Sequence, residues 1–189
     1  KMYKHGFGPD YTYKWTDKDA DADGRKVLNL LNGSDIPDMD TNDATDTVSF
    51  VMLNNVQEGL YRLSDGDVPV LTGADSVTYA DGAYTFALKQ DATWTKSDGT
   101  VYGNVKANDF VYSWDRLQSE ELEAQYSFLV GVIGIESYEA IDDYTFKVVV
   151  KQSALFESLM AFQVFAPVNE AFVEEVGQDI FGTSADTTL

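Results

Sequence analysis

The chain has no cysteine and a single histidine, His5. Without thiols there is no disulfide and no thiolate metal site, and one imidazole cannot build a two-histidine metal centre or serve a cysteine nucleophile. Basic residues are scarce, with 13 Lys and Arg against 32 Asp and Glu for a formal charge of −19. A field of that sign repels phosphate backbones, and no Lys/Arg cluster offsets it, so nucleic acid is excluded as a natural partner. The same excess of acid suits a secreted or surface protein that must stay soluble. Long apolar runs are also lacking, none reaching the roughly 18 to 20 residues of a membrane span. Nothing at the front reads as a signal peptide, and any export or lipid-anchoring parts of a parent protein are expected to have been removed.

What is present is ordinary material for a folded core. Hydrophobic residues make up 44% and charged residues 24% of 189, and 11 Phe, 11 Tyr and 3 Trp supply large anchors. A chain of this size buries about two thirds of its unfolded surface, enough for one domain or a domain with a small satellite. Three zones differ in composition. Residues 1–18 are aromatic and strand-like, residues 19–26 form an acidic linker whose Asp/Ala/Gly tract reads as a tether, and residues 27–189 read as a continuous α/β lobe.

Strand formers run through Tyr11-Thr12-Tyr13-Lys14-Trp15 and Val27-Leu28-Asn29-Leu30-Leu31. Pro37 and the flanking Asp residues make 34–40 a loop. Residues 45–58 predict a helix capped by Asp46 or Thr45, with Val48, Val51, Met52, Asn55 and Val56 on its buried face and Gly59 as its stop. A strand over 60–63 turns at Asp65-Gly66-Asp67. Strands over 76–79 and 84–88 flank Asp81-Gly82 as a hairpin, with Tyr84, Phe86 and Leu88 inward. Trp94 precedes a polar loop. Asn108 or Asn104 caps a second helix carrying Phe110, Val111, Trp114 and Leu117. A short helix and bend occupy 126–135, and a turn at Asp142-Asp143 leads into a strand over 144–150 with Phe146, Val148 and Val150 on one face. Helices over 154–162 and 169–176 follow, separated by Ala166-Pro167, and the tail 177–189 shows no clear element. Interleaved strands, hairpins and helices indicate a mixed α/β lobe rather than a repeated βαβ series.

Catalytic constellations are scarce. Glu120/Glu123 and Glu174/Glu175 have the spacing of solvated helix faces, with no apolar pocket to raise one pKa above the other. Gly6-Phe7-Gly8 lacks the glycine spacing and Lys/Ser pair of a phosphate loop. Asp17, Asp19, Asp21 and Asp23 alternate, yet no closing Glu completes a calcium loop. No enzyme, cofactor or metal site is expected. Tyr61, Tyr126 and Phe165 either line a groove or belong to the core. The loop 33–38 follows an apolar strand, where backbone groups are well placed to pair with an extended peptide and acidic side chains favour an amino terminus or basic residues.

Several segments together resemble the amino-terminal lobe of the oligopeptide-binding proteins, the family 5 extracellular solute-binding proteins of bacterial ABC importers. They are Val27-Leu28-Asn29-Leu30, Asn55-Val56-Gln57-Glu58-Gly59-Leu60-Tyr61, Tyr84-Thr85-Phe86-Ala87-Leu88-Lys89 with Ala92-Thr93-Trp94, Val105-Lys106-Ala107-Asn108-Asp109-Phe110-Val111-Tyr112-Ser113-Trp114, Ala140-Ile141-Asp142-Asp143-Tyr144-Thr145-Phe146 and Gly182-Thr183-Ser184-Ala185-Asp186. The resemblance implies an α/β fold: the mixed-sheet lobe of a type II periplasmic-binding-protein-like fold, with hairpins and packed helices. Relative to the family, the second lobe is missing, the segment before Ala140 is shortened to 130–139, and Gly6 to Trp15 resemble the carboxy-terminal strand moved to the front.

For function, the resemblance implies an extended oligopeptide held between two lobes largely through its backbone. It places Ser34, Asp35 and Ile36 on the edge facing that peptide and Tyr126 as a flat contact beside it. The acidic clamp for the peptide amino group belongs to the missing second lobe. For the parent protein it further implies a membrane permease as partner and a lipid-anchored position on the extracellular face of the bacterial membrane. Half a cleft leaves one side of the ligand in water, so the isolated lobe is expected to bind peptides more weakly than about 1 mM, less than roughly 4 kcal/mol. The alternative is a reduced or engineered scaffold, an interaction domain with no small ligand.

Overall fold

The Asp81-Gly82 turn closes the central hairpin of the molecule. In the computed structural model, which describes residues 34–151 and 154–189, both turn residues have positive φ, 53° and 78°. That is the backbone a two-residue hairpin of right-handed twist requires, and glycine adopts it without strain. The hairpin joins β3 (Ala74–Ala80) to β4 (Ala83–Leu88) in an antiparallel four-stranded sheet of order β3-β4-β8-β7. β8 (Thr145–Val150) pairs with β4 so that Phe86 faces Phe146 and Tyr84 faces Val148. Tyr84, Phe86, Leu88, Phe146, Val148 and Val150 are all buried, so the expected period-two faces are the core face.

The edge strand β7 (Ile135–Asp142) was not expected, because its residues do not alternate between apolar and polar. It forms as a partner for β8 across a tight turn in which Asp142 accepts from the Tyr144 N–H (2.9 Å) and the Thr145 hydroxyl (3.0 Å). Glu139 meets Lys147 at 3.1 Å and Glu136 meets Lys151 at 3.8 Å, putting charge along an edge that would otherwise invite another strand.

Helix α1 (Thr47–Val56) starts at Asp46, whose carboxylate accepts the Ser49 N–H at 2.9 Å. Its buried positions are Ser49 and Leu53, while Val51, Asn55 and Val56 are exposed, so the face predicted from sequence is rotated. The helix packs against the 3-10 turn Gln163–Phe165, with Leu53 fully buried and Val51 and Val56 left exposed. Three-residue strands β1 (Tyr61–Leu63) and β2 (Pro69–Leu71) make one small hairpin, and β5 (Thr93–Thr95) and β6 (Val101–Asn104) another.

α2 (Ala107–Leu117) covers the core face of the sheet with Phe110, Trp114 and Leu117. The Trp114 ring meets Phe146 edge-on at 5.1 Å, and its indole N–H donates to the Phe165 carbonyl at 3.0 Å. Its cap is Lys106, not Asn104 or Asn108. The Asp109 carboxylate reaches back to accept the Lys106 N–H (2.8 Å) and also the Trp94 indole N–H (2.9 Å), so the acid at the third helical position sets the boundary.

α3 (Leu129–Ile133) ends at Gly134 with φ 74°, the bend expected there. The segment predicted as one helix over 154–162 holds only a single turn, α4 (Phe156–Leu159), because Phe162 is extended at ψ 134° and leads into the 3-10 turn. α5 (Glu170–Val176) is capped by Asn169, which accepts the Phe172 N–H at 2.9 Å. The tail does carry structure. Phe181 joins Val168, Phe172 and Val173 in a second small core, and Ala185–Thr187 forms a closing 3-10 turn. Tyr61 and Phe165 are buried core residues, not groove walls. The segments expected as strands at Tyr11–Trp15 and Val27–Leu31, the linker 19–26, His5 and the alternating Asp residues lie outside the described residues.

Candidate functional site

Residues 34–37 are exposed, and among the described residues the main-chain groups of Ser34, Asp35 and Ile36 have no main-chain partner. The chain just beyond them is fastened firmly. Asp38 donates its N–H to the Ser49 hydroxyl on α1 (3.1 Å) and accepts the Asp40 N–H on its carboxylate (2.8 Å). Met39 donates to the Gly182 carbonyl at 2.8 Å, and the Thr41 hydroxyl donates to the Gln163 carbonyl at 2.5 Å.

Beneath this loop lies a buried charge pair. Asp40 and Arg116 of α2 meet through two hydrogen bonds, Nη1 to Oδ1 at 2.8 Å and Nη2 to Oδ2 at 2.5 Å. Two further guanidinium donors go to Asn42 (3.1 Å) and Gln178 (2.8 Å), and the guanidinium lies over the Phe181 ring. Asn42 in turn donates to Ser113 (3.0 Å) and to the Val164 carbonyl (3.1 Å), and Ser113 donates to the Ala166 carbonyl (2.6 Å). The network joins loop, α2, the 3-10 turn and the tail. Because its members are paired, the desolvation of two charges is offset rather than left open.

Two carboxyl groups near this pair are perturbed upward. Asp38 is raised to about 6, chiefly by burial, with the Asp40 and Asp43 charges adding and the Asp40 N–H bond pulling the other way. Asp43 is raised by burial and by Asp40, while Arg116 opposes.

Ile36 lines a largely apolar cavity of about 420 Å³ together with Met39, Met52, Val56, Gly182 and Leu189. Tyr126 lies elsewhere. It is half-buried, 5.2 Å from Phe162 and 5.9 Å from Phe50 by ring centroids, with Phe128 at 6.4 Å. Phe50 and Met52 are two positions apart on α1, about 200° around a helix, so Ile36 and Tyr126 are served by opposite faces of α1. The structure therefore does not bring them into one cavity.

Beside Tyr126, a groove of about 660 Å³ is walled by Phe50, Asn54, Arg62, Ser158, Phe162 and Gln163. Sequence reasoning missed it. The available signal was Arg62, the only basic residue between Lys26 and Lys89. Glu120, Glu123, Glu174 and Glu175 are exposed, and Glu175 accepts from the Tyr102 hydroxyl at 2.9 Å. Among the described residues, no group of three or more His, Cys, Asp or Glu is arranged to hold a metal ion, and no helix is long and apolar enough to cross a membrane.

Comparison with known proteins places this geometry in context. A family model described as bacterial extracellular solute-binding proteins, family 5 Middle, matches residues 68–187. A dipeptide-binding protein of Lactococcus lactis subsp. cremoris is 30% identical over 181 residues, covering 87% of this chain and 32% of its own length. Among solved structures, the substrate-binding domain of an oligopeptide ABC transporter from Bacillus anthracis superposes with TM-score 0.76 at 35% identity, over 85% of this chain and 33% of that one. Listeria monocytogenes OppA, solved bound to peptide, gives TM-score 0.75 at 34% identity over 85% of this chain and 34% of its own. The chain spans about a third of the length of these relatives. The matches do not favour the scaffold alternative.

Proposed function

The chain belongs to the family 5 bacterial extracellular solute-binding proteins, and from that premise we propose that it is the peptide-contacting part of the first lobe of a receptor feeding an ABC importer. The observation that carries the reading is the exposed segment Ser34, Asp35 and Ile36, whose main-chain groups have no main-chain partner among the described residues, set on a loop fastened to the core by Asp38, Asp40 and Arg116. A peptide in extended conformation hydrogen-bonds to those main-chain groups, which makes recognition tolerant of side-chain identity. Tyr126 contributes a flat aromatic contact farther along.

The second lobe closes the other side of the cleft and supplies the clamp for the peptide amino group. The parent protein is held at the extracellular face of the membrane by a lipid and delivers its peptide to a membrane permease. Its work is binding and release rather than catalysis.

Titration calorimetry tests the reading. The chain alone binds oligopeptides more weakly than about 1 mM. Adding the remaining lobe of a family member, produced separately, restores saturable peptide binding. Micromolar binding by the lone chain, or no peptide-dependent assembly with the second lobe, would sink it.

A further inference from the structure

The groove between α1, the β1–β2 hairpin and residues 156–163 runs against the charge of the rest of the chain. In a protein of formal charge −19, its lining among the described residues holds no Asp or Glu and one cation, Arg62. Its volume of about 660 Å³ is that of a small-ligand site. The lining is mixed in character. Phe50 and Phe162 meet edge to face at 5.3 Å and are backed by Tyr126, giving an apolar shelf. Asn54, Ser158, Gln163 and the guanidinium supply its polar part.

Arg62 is already held in place. Its Nη2 donates to the Asn54 carbonyl at 2.6 Å and, more distantly, to the Gln57 carbonyl at 3.4 Å, both acceptors at the end of α1. Its Nε and Nη1 hydrogens have no partner among the described residues. These free groups lie on different edges of the guanidinium, since both two-pronged edges include the engaged Nη2, so each can offer a ligand carboxylate one charge-assisted hydrogen bond. Because the side chain is fixed beforehand, less rotamer freedom is lost on binding.

We propose that this groove is a carboxylate subsite, in which Arg62 donates to a ligand carboxylate from one of its free N–H groups while Phe50 and Phe162 receive an adjoining apolar or aromatic group. The inference rests on the peptide-binding reading for the identity of the natural ligand. In that setting the carboxylate is either the carboxy terminus of a peptide with an apolar last side chain or the side chain of an acidic residue. The chemistry recognised is the same, and the test separates the sources.

The isotopically labelled chain is titrated, with amide shifts followed by NMR, using N-acetyl-phenylalanine, its carboxamide, and N-acetyl-glutamate α-amide at millimolar concentration. The acid shifts the resonances of Asn54, Asn55, Arg62 and Phe162 and binds about tenfold more tightly than its carboxamide, the worth of one charge-assisted pair. Preference for N-acetyl-phenylalanine over the glutamate probe assigns the site to a peptide terminus, and the reverse preference assigns it to an acidic side chain. Arg62→Gln abolishes the difference between acid and carboxamide. Arg62→Lys, which keeps the charge but not the held planar donor, retains part of it. Unchanged resonances across the four-stranded sheet show that both variants remain folded. Equal binding of acid and carboxamide, no response to any probe, or shifts confined to residues 34–40 overturn the subsite. Shifts at 34–40 alone leave the peptide-binding reading standing, because that reading depends on the main chain there and is tested separately with the second lobe.

Discussion

Asp40 and Arg116 form a two-pronged ion pair with side chains only 5% and 4% exposed, and they join the loop that follows Ser34–Ile36 to the helix covering the central sheet. Removing one partner strands the other charge in a buried site. Arg116→Met or Asp40→Leu is therefore expected to cost about 3–5 kcal/mol, read as a fall in the urea midpoint. The double variant should recover a large part of that loss, since two apolar side chains leave no charge to desolvate. A double variant as unstable as the sum of the singles would show that the pair's surroundings, not the uncompensated charge, set the cost.

Gly182 is the second constraint on the same loop. Its φ is +80°, and a Cβ built there would sit 2.3 Å from the Asp40 nitrogen and 2.8 Å from its Cα. Both atoms are backbone and cannot turn aside. Gly182→Ala combines left-handed strain with a forced shift of Asp40, a loss of about 1–3 kcal/mol expected in thermal unfolding. The loss should shrink in an Asp40→Leu background, because the ion pair that the shift would disturb is already gone. Full additivity of the two substitutions would argue against that coupling.

Asp38 supplies a dependence on pH. Its carboxyl is raised to about 6, against an ordinary value near 4 in an unfolded chain. Between those two values the folded state holds the proton and the unfolded state does not, so this group's contribution is complete below about pH 4 and disappears as pH climbs through about 6. Asp46, Asp98 and Asp142 are lowered by hydrogen bonds and act in the opposite sense, losing stability as pH falls. The comparison that isolates Asp38 is wild type against Asp38→Asn. The amide oxygen keeps the acceptor for the Asp40 N–H, so the variant should gain on wild type as pH rises from 4 to 7. Parallel stability curves for the two proteins would remove Asp38 as the titrating group. Partial exposure reduces the size of the effect, and direction is the quantity to read.

The parts of the fold that were legible in sequence are those where one face is buried and period alone decides. Tyr84, Phe86 and Leu88, and Phe146, Val148 and Val150 on the neighbouring strand, alternate strictly, and the Asp81-Gly82 pair between β3 and β4 carries the required turn chemistry. Phe110, Trp114 and Leu117 were legible for the same reason at helical spacing. Strands β2, β5 and β6 span three or four residues, too short to show a period, and β7 is an edge whose pairing is dictated by β8 rather than by its own side chains. The face of α1 differs from the expected one because Val51 and Val56 look apolar in sequence, whereas the helix buries Ser49 and Leu53 instead.

At the site, the loop containing Ser34, Asp35 and Ile36 was readable from Pro37 and its acids. The Asp40–Arg116 pair was not, since 76 positions separate the partners and nothing local marks either as buried. Likewise the groove around Arg62 is assembled from two stretches far apart in sequence, 50–63 and 158–163, so only the isolation of that one base hinted at it.

Tyr126 offers a way to separate packing from recognition. Its ring meets Phe162 edge to face and Phe50 at a tilt, while no hydrogen bond engages its hydroxyl among the described residues. Tyr126→Phe keeps both ring contacts and should stay within about 0.5 kcal/mol of wild type in unfolding experiments. Tyr126→Ala removes the shared wall of Phe50 and Phe162, with an expected cost of about 2–4 kcal/mol for a half-buried aromatic. In the reconstituted two-lobe receptor, a flat stacking contact predicts that the Phe variant binds peptide as wild type does and that the Ala variant binds several-fold more weakly. A Phe variant that folds normally but loses affinity would instead assign the recognition to the phenol hydroxyl, because the ring face is unchanged and only that donor has gone.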